Sequence, residues 1–251
     1  KVYEAVVTKR LLCMEYINGV KLTEMRQAAS SSGGGDTGFS EEEVHLVVEN
    51  LVRYYGYTIH GEIFNTDPHP GNLLVGLDNE QRGTLYVLDW GQAQRLGVAE
   101  RSAHAKLLLS IMMEDVNLLS EACTGLGVPF KDLMANPNPT PSTMIGAMRF
   151  LLRDPRASRL AAKQDFRKLE KTLGGLSSEV KAIQGGGTDL FRGSLMPFSK
   201  TVALLFEVST LTGVSLPMLN ILSAAGYATL LRESGYGHIE LIPTPQYHRR
   251  D

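Results

Sequence analysis

Residues 62–75 read EIFNTDPHPGNLLV, and within them Asp67 and Asn72 stand five positions apart. A second aspartate, Asp89, follows in LDWG. Pro68 and Pro70 exclude regular helix or strand through the middle of the stretch, which makes it a rigid polar loop. Such a loop can hold an aspartate and an asparagine side by side, and the end of a neighbouring strand can bring up a further carboxylate. Hard oxygen donors of this kind suit Mg²⁺ bridging the phosphates of a nucleotide. On that reading Asn72 and Asp89 are metal ligands, and Asp67 accepts a hydroxyl proton or orients the nucleophile. The competing reading makes Asp67 and Asn72 ordinary turn-stabilising residues. A helix before the loop, a hairpin after it and D-x-G at its end favour the chemical one.

The elements that must position these residues follow from the apolar pattern. Ser40 with Glu43 forms a capping box, and Val44, Val47, Leu51, Tyr55 and Ile59 recur at helical spacing. An amphipathic helix over 41–60 is therefore expected to lead into the loop. Beyond it, 73–75 and 84–88 read as the strands of a hairpin. Upstream, 2–8 and 11–17 read as a strand pair. A short helix capped by Thr23 follows, and then a low-complexity insert, 30–39, expected to be flexible. From 98 to 235 the pattern is helical, with breaks at 136–141, 174–175 and 185–187, and 236–251 reads as a disordered tail. The fold class expected is α+β, mostly α, with one domain over 1–235. Its parts are a β region at 1–19, a catalytic and metal-binding core at 40–97 and helices over 98–235.

D-x-x-x-x-N followed by D-x-G is the spacing of a kinase catalytic loop and its metal-binding segment. LLCMEYINGVKL, residues 11–22, resembles a kinase strand running into its hinge. Met14 would be the gatekeeper, the backbone of Glu15 and Ile17 would bind adenine, and Leu74 would lie under the adenine ring. His69 stands two after Asp67, where many protein kinases have a lysine. It either donates a hydrogen bond to the γ-phosphate or stabilises the turn between two prolines. With RSAHAKLLLSIMMEDVNLLSEACTGLG at 101–127, these motifs resemble the UbiB or aarF-domain atypical kinase family over roughly residues 1–130.

That resemblance implies a protein-kinase-like C-terminal lobe with hinge strands and ATP and Mg²⁺ as cofactors. Asp67 becomes the catalytic-loop aspartate, and Asn72 and Asp89 the metal ligands. It also implies a link to prenylquinone or other lipid metabolism, with a prenyl lipid or membrane-associated biosynthetic proteins as partners. The compartment implied is a mitochondrion, a plastid or the cytoplasmic side of a bacterial membrane. Asn65 stands where the family commonly has histidine, and DWG replaces DFG. Nothing matches a Gly- or Ala-rich nucleotide loop, the ion-pairing strand lysine or its helix glutamate, since Lys1 and Lys9 lie too close to the hinge. The expectation is a chain lacking most of an N-terminal lobe and the family's K-x-G-Q extension, inactive by itself.

A net charge of −2 over 251 residues gives no basic field for nucleic acid or an anionic membrane. The longest apolar stretch, 202–231, is broken by Glu207 and Pro217 and reads as two buried helices, with no transmembrane span. Cys13 and Cys123 read as core thiols in a reducing compartment. His45, His60 and His104 read as surface or packing residues. Only residues 92–97 separate Gly91 from the next helical pattern, with no A-P-E ending, so a peptide has no platform. A small molecule, a lipid or plain ATP hydrolysis is favoured. Two alternatives stand beside this reading: a small-molecule phosphotransferase of the aminoglycoside or choline kinase type, and a non-catalytic pseudokinase scaffold.

Overall fold

Ser40 Oγ accepts the amide of Glu43 at 3.1 Å, and the Glu43 carboxylate accepts the amide of Ser40 at 2.7 Å. This capping box opens helix α1, Glu41–Ile59, whose inner face buries Val44, Val47, Val48, Leu51, Val52, Tyr55 and Ile59. Arg82 Nε donates to the Glu43 carboxylate at 2.6 Å and thereby ties the turn of the hairpin to the same helix start. The computed structural model describes residues 1–25, 38–66, 69–77, 82–128, 140–154, 160, 163–165, 167, 168 and 195–235. Asp67 and Pro68, the insert at 30–37, the breaks at 136–139, 174–175 and 185–187, and the tail from 236 lie outside them.

Among the described residues, five short strands and five further α-helices follow the sequence expectation of an α+β, mostly α, architecture. The strands are β1 (Gly19–Lys21), β2 (Ile63–Asn65), β3 (Leu73–Gly76), β4 (Leu85–Val87) and β5 (Ala93–Arg95). They form two antiparallel sheets among the described residues, β1-β3-β4 and β2-β5. The helices are α2 (Val98–Met113), α3 (Val116–Gly125), α4 (Pro141–Leu151), α5 (Leu195–Thr212) and α6 (Met218–Glu233). The break between α5 and α6 falls at Pro217, as expected for two separate core helices.

One expectation is corrected. Residues 2–8 and 11–17 do not form a regular strand pair: only the bridges Val2–Met14 and Thr8–Leu11 pair across, and Glu4–Val6 is a 3₁₀ turn. Val6 and Val7 donate back to Tyr3 and Glu4, so the amides are satisfied locally. Val2, Val6, Leu11 and Leu12 are exposed, and a two-stranded ribbon with no buried face is marginal. The short helix expected after Thr23 runs into residues 26–37, outside the described residues, but Thr23 itself is described. It sits inside the 3₁₀ turn Leu22–Glu24, which follows Lys21 without a side-chain cap. The regular strand of this region is instead Gly19–Lys21. A Cβ at Gly19 would stand 2.6 Å from the carbonyl of Val75, so β1 reaches β3 only because that residue is glycine. Of the two thiols, Cys123 is buried and burial pushes its pKa up to about 11, whereas Cys13 is half-buried on the ribbon.

One apolar core runs from Leu22 and Met25 along α1 to Phe198, Leu205 and Val208 on α5 and Leu219 and Leu222 on α6. Helix α6 nests between α1 and α2. A Cβ at Gly226 would crowd Ala105 Cα and the His60 ring at 3.2 Å, so glycine eases this close approach. His104 is fully buried and stacks on Phe198, ring centroids 5.3 Å apart. His60, also buried, has no hydrogen-bond partner at either ring nitrogen. Burial pushes its pKa down to about 3, nearby His104 adding to the effect and the backbone of Leu222 and Arg101 opposing it.

That depressed value gives the stability of the fold a pH dependence. The folded state holds His60 neutral, while the unfolded chain protonates it near its ordinary value of 6.5. Its contribution is therefore complete above about pH 6.5 and is lost as pH falls toward 3, with a slope approaching roughly 1.4 kcal/mol per pH unit. Urea unfolding between pH 7 and pH 5 should show this loss, and His60→Leu should flatten it. A wild-type curve no steeper than that of the variant would contradict the assignment.

Candidate functional site

The loop is reached through a main-chain zipper. Strand β2 pairs with β5 in the register Ile63–Arg95, Phe64–Gln94 and Asn65–Ala93. The ladder extends past both ends, with Leu96 N–H donating to Glu62 O at 2.9 Å and Thr66 N–H to Gln92 O at 3.1 Å. Phe64 is fully buried beside His104 and fixes the zipper to the helical core. Thr66 is thus anchored immediately before Asp67, which itself lies outside the described residues.

On the far side of Asp67 the chain tightens into the 3₁₀ turn Pro70–Asn72. His69 Nδ1 accepts the amide of Gly71 at 3.0 Å, and His69 O accepts that of Asn72 at 3.0 Å. The turn-stabilising reading of His69 is therefore built into the geometry. Because Nδ1 is the acceptor, the neutral ring carries its proton on Nε2, so the same side chain retains a donor on an exposed imidazole.

Asn72 leads into β3, which pairs with β4 in the register Leu73–Val87, Leu74–Tyr86 and Val75–Leu85. The open end of this hairpin is closed by Leu88 N–H donating to Asn72 O at 2.8 Å. Asp89 follows at once, so Asn72 and Asp89 leave the same end of the sheet. Asp89 is exposed and has φ of 58°, a left-handed backbone that a non-glycine residue adopts at a cost. Its Oδ1 accepts the amide of Gly91 at 3.1 Å, and its carbonyl accepts Asn65 Nδ2 at 3.0 Å. Trp90, beside it, meets Tyr54 of α1 edge-on at 6.4 Å.

The opposite end of β3 meets the ribbon. Leu77 N–H donates to Asn18 O at 3.0 Å, and β1 pairs Gly19 with Gly76, Val20 with Val75 and Lys21 with Leu74. Leu74 therefore sits mid-sheet, with the segment holding Glu15 and Ile17 at one end of β3 and Asn72 with Asp89 at the other. The amide of Glu15 donates to Lys1 O at 2.8 Å, so an adenine contact from Glu15 would use its carbonyl. Met14 is 48% exposed, so within this chain it lines no interior wall.

No cluster of three or more His, Cys, Asp or Glu side chains occurs among the described residues. The donors at the hairpin end are oxygens only, from one amide and one carboxylate. That set fits a hard cation completing its shell with phosphate oxygens and water, and does not fit zinc. Asn65 is the residue whose part sequence reasoning missed. It was noticed only as a departure from histidine, and its bond to Asp89 spans 24 residues. Among the described residues, no helix is long and apolar enough to cross a membrane.

Residues 1–123 match the ABC1 atypical kinase-like domain, and the matched stretch holds the ribbon, both sheets, α1, α2 and most of α3. This part of the chain is an ABC1 atypical kinase-like domain. Three relatives agree with the assignment. The "Probable serine/threonine-protein kinase abkB" of Dictyostelium discoideum is 30% identical over 115 residues, 46% of this chain and 16% of its own length. "ACTIVITY OF BC1 COMPLEX KINASE 1, chloroplastic" of Arabidopsis thaliana is 26% identical over 136 residues, covering 54% of this chain and 18% of that protein. "AarF domain-containing protein kinase 1" of Gallus gallus is 27% identical over 129 residues, 51% and 23% of the two chains. The chain thus spans less than a quarter of these relatives, and the UbiB/aarF family expected from its motifs is the family found. Helices α4 to α6 lie beyond the domain match, yet Ser102 Oγ donates to Glu233 Oε2 at 2.5 Å and joins α2 to the end of α6.

The left-handed backbone of Asp89 carries a direct consequence. Glycine adopts that conformation freely and alanine does not. Asp89→Gly should therefore be more stable than Asp89→Ala by about 1 kcal/mol. Urea unfolding of the two variants checks this, and equal midpoints would remove the strain from the account.

Proposed function

We propose that this ABC1 domain is the metal- and phosphate-holding part of an ATP-dependent atypical kinase or ATPase of the UbiB type. The observation that carries the reading is the closed hairpin end, where the Leu88–Asn72 bond brings Asn72 and a conformationally constrained Asp89 together. Asn72 and Asp89 would hold Mg²⁺, which supplies neutralisation of the charge on the β- and γ-phosphates. Asp67, next to the anchored Thr66, orients or deprotonates the nucleophile. His69 offers its Nε2 proton to the γ-phosphate while Nδ1 keeps the turn. The Glu15 carbonyl, Ile17, Met14 and Leu74 bracket the adenine, one strand length away from the phosphates.

The segment after Gly91 bears on the substrate. Residues 93–95 are spent on pairing with β2, Leu96 is buried, and Glu100 accepts the Gly97 amide at 2.9 Å to start α2. That leaves no length for a surface on which an extended peptide could lay its hydroxyl, and positioning supplies most of the catalysis in phosphoryl transfer. A prenyl lipid or another small molecule suits the site better, or plain ATP hydrolysis in support of membrane-associated biosynthetic proteins. The chloroplastic relative supports a plastid as the compartment.

Two substitutions in the full-length protein divide the roles. Asp89→Asn should abolish the Mg²⁺-dependent part of ATP binding. Asp67→Asn should leave that binding intact and lower turnover by about 10²- to 10⁴-fold. Isothermal titration and ATP turnover with and without prenylquinone precursors or lipid vesicles read both outcomes. Wild-type turnover in Asp67→Asn, or robust peptide phosphorylation indifferent to lipid, would overturn this reading.

A further inference from the structure

We propose that Lys21 is a nucleotide-recognition residue whose ammonium holds the α-phosphate, an inference that rests on the nucleotide-binding reading above. Lys21 is the register partner of Leu74, directly opposite it in the β1–β3 ladder. Side chains along a strand alternate between the two faces of its sheet. Leu22, Leu73 and Val75 are fully buried on the core side, which leaves Lys21 and Leu74 together on the open face. Strand β1 starts beside the segment that holds Glu15 and Ile17 and runs toward the sheet end that carries Asn72 and Asp89. The Leu22–Glu24 turn that follows it packs against the Pro70–Asn72 turn. Lys21 therefore stands between the two ends of the proposed nucleotide site. A nucleotide with its adenine on Leu74 and its β- and γ-phosphates at Asn72 and Asp89 carries its α-phosphate past this lysine.

The side chain suits the task. A lysine lays its alkyl stem along an apolar neighbour and keeps its ammonium in water, and Leu74 is that neighbour. The ammonium reaches the Glu24 carboxylate at 3.3 Å, with the two side chains 54% and 51% exposed. An ion pair so open to water adds little to stability and exchanges at small cost for a phosphate oxygen. Lysine also meets phosphate as a point charge on a flexible stem, which fits a residue on the edge strand of the sheet. The contact is direct, so it does not pass through Mg²⁺.

The test is displacement of a fluorescent ATP analogue from the Mg²⁺-supplied full-length protein by AMP and by adenosine, with melting temperatures taken without ligand. AMP carries the α-phosphate and lacks the two phosphates that Mg²⁺ bridges. A hydrogen bond to a charged group is worth about 10-fold in affinity or more, so wild type should prefer AMP to adenosine by at least about that factor. Lys21→Gln should remove most of this preference by weakening AMP alone. Lys21→Met, which keeps much of the stem, should do the same and stands in where the glutamine variant does not fold. Lys21→Arg, which keeps the charge, should hold AMP within about threefold of wild type. Added salt should narrow the preference of wild type more than that of Lys21→Gln. Wild type with no preference for AMP, a folded Lys21→Gln or Lys21→Met that retains it, or Lys21→Arg no better than either would overturn the role of Lys21 alone. Equal losses for AMP and adenosine would do so too. A wild-type protein that does not bind the ATP analogue would overturn the nucleotide reading and this inference with it.

Discussion

Leu88 donates its amide to the carbonyl of Asn72 at 2.8 Å, one residue before Asp89. Much else in the molecule serves to keep that bond in place. The β3–β4 ladder brings the two strands to it in register, and β1 braces the outer edge of β3. The β2–β5 zipper delivers Thr66 to one side of the loop and Gln92 to the other. A one-residue slip in either ladder would exchange the faces of the strands and separate Asn72 from Asp89. Short strands tolerate this demand because their ends are bonded beyond the regular pairing.

The helices supply rigidity from behind. Phe64 passes from the zipper into the core, where His104 stacks on Phe198, and Tyr54 of α1 supports Trp90 on the other side of Asp89. The small residues of α6 let it approach α1 and α2 closely, so the helices beyond the ABC1 match share a core with the domain. A buried, unpartnered His60 at that junction is a cost carried at the centre of the packing. It is offset by the apolar contacts around it.

What could be read in the sequence was local. The capping box at Ser40 and the spacing from Val44 to Ile59 specify α1 through bonds and contacts within a few residues, and the structure repeats them. The hairpin was legible for the same reason. The ribbon over residues 2–17 was overread because β-branched content marks strand propensity without saying whether a face will be covered. Strand β1 was missed because three residues, one of them a glycine, make no pattern, and its partner β3 lies more than fifty positions onward. Of the proposed site, Asn72 and Asp89 are singled out by type and spacing, and the structure brings them to one end of a hairpin. Asn65 is not, since its importance lies in a bond across 24 residues and in the backbone angle of another residue. Asp67 lies outside the described residues, so its proposed catalytic role rests on its motif.

The central claim is that Asn72 and Asp89 together hold a divalent cation on the phosphates of a nucleotide. A crystal or cryo-electron structure of the full-length protein with Mg²⁺ and a non-hydrolysable ATP analogue tests it most directly. The account predicts one Mg²⁺ with the Asn72 side-chain oxygen and an Asp89 carboxylate oxygen each at about 2.0–2.1 Å, and phosphate oxygens completing its shell. A nucleotide bound with its metal away from both residues would contradict it.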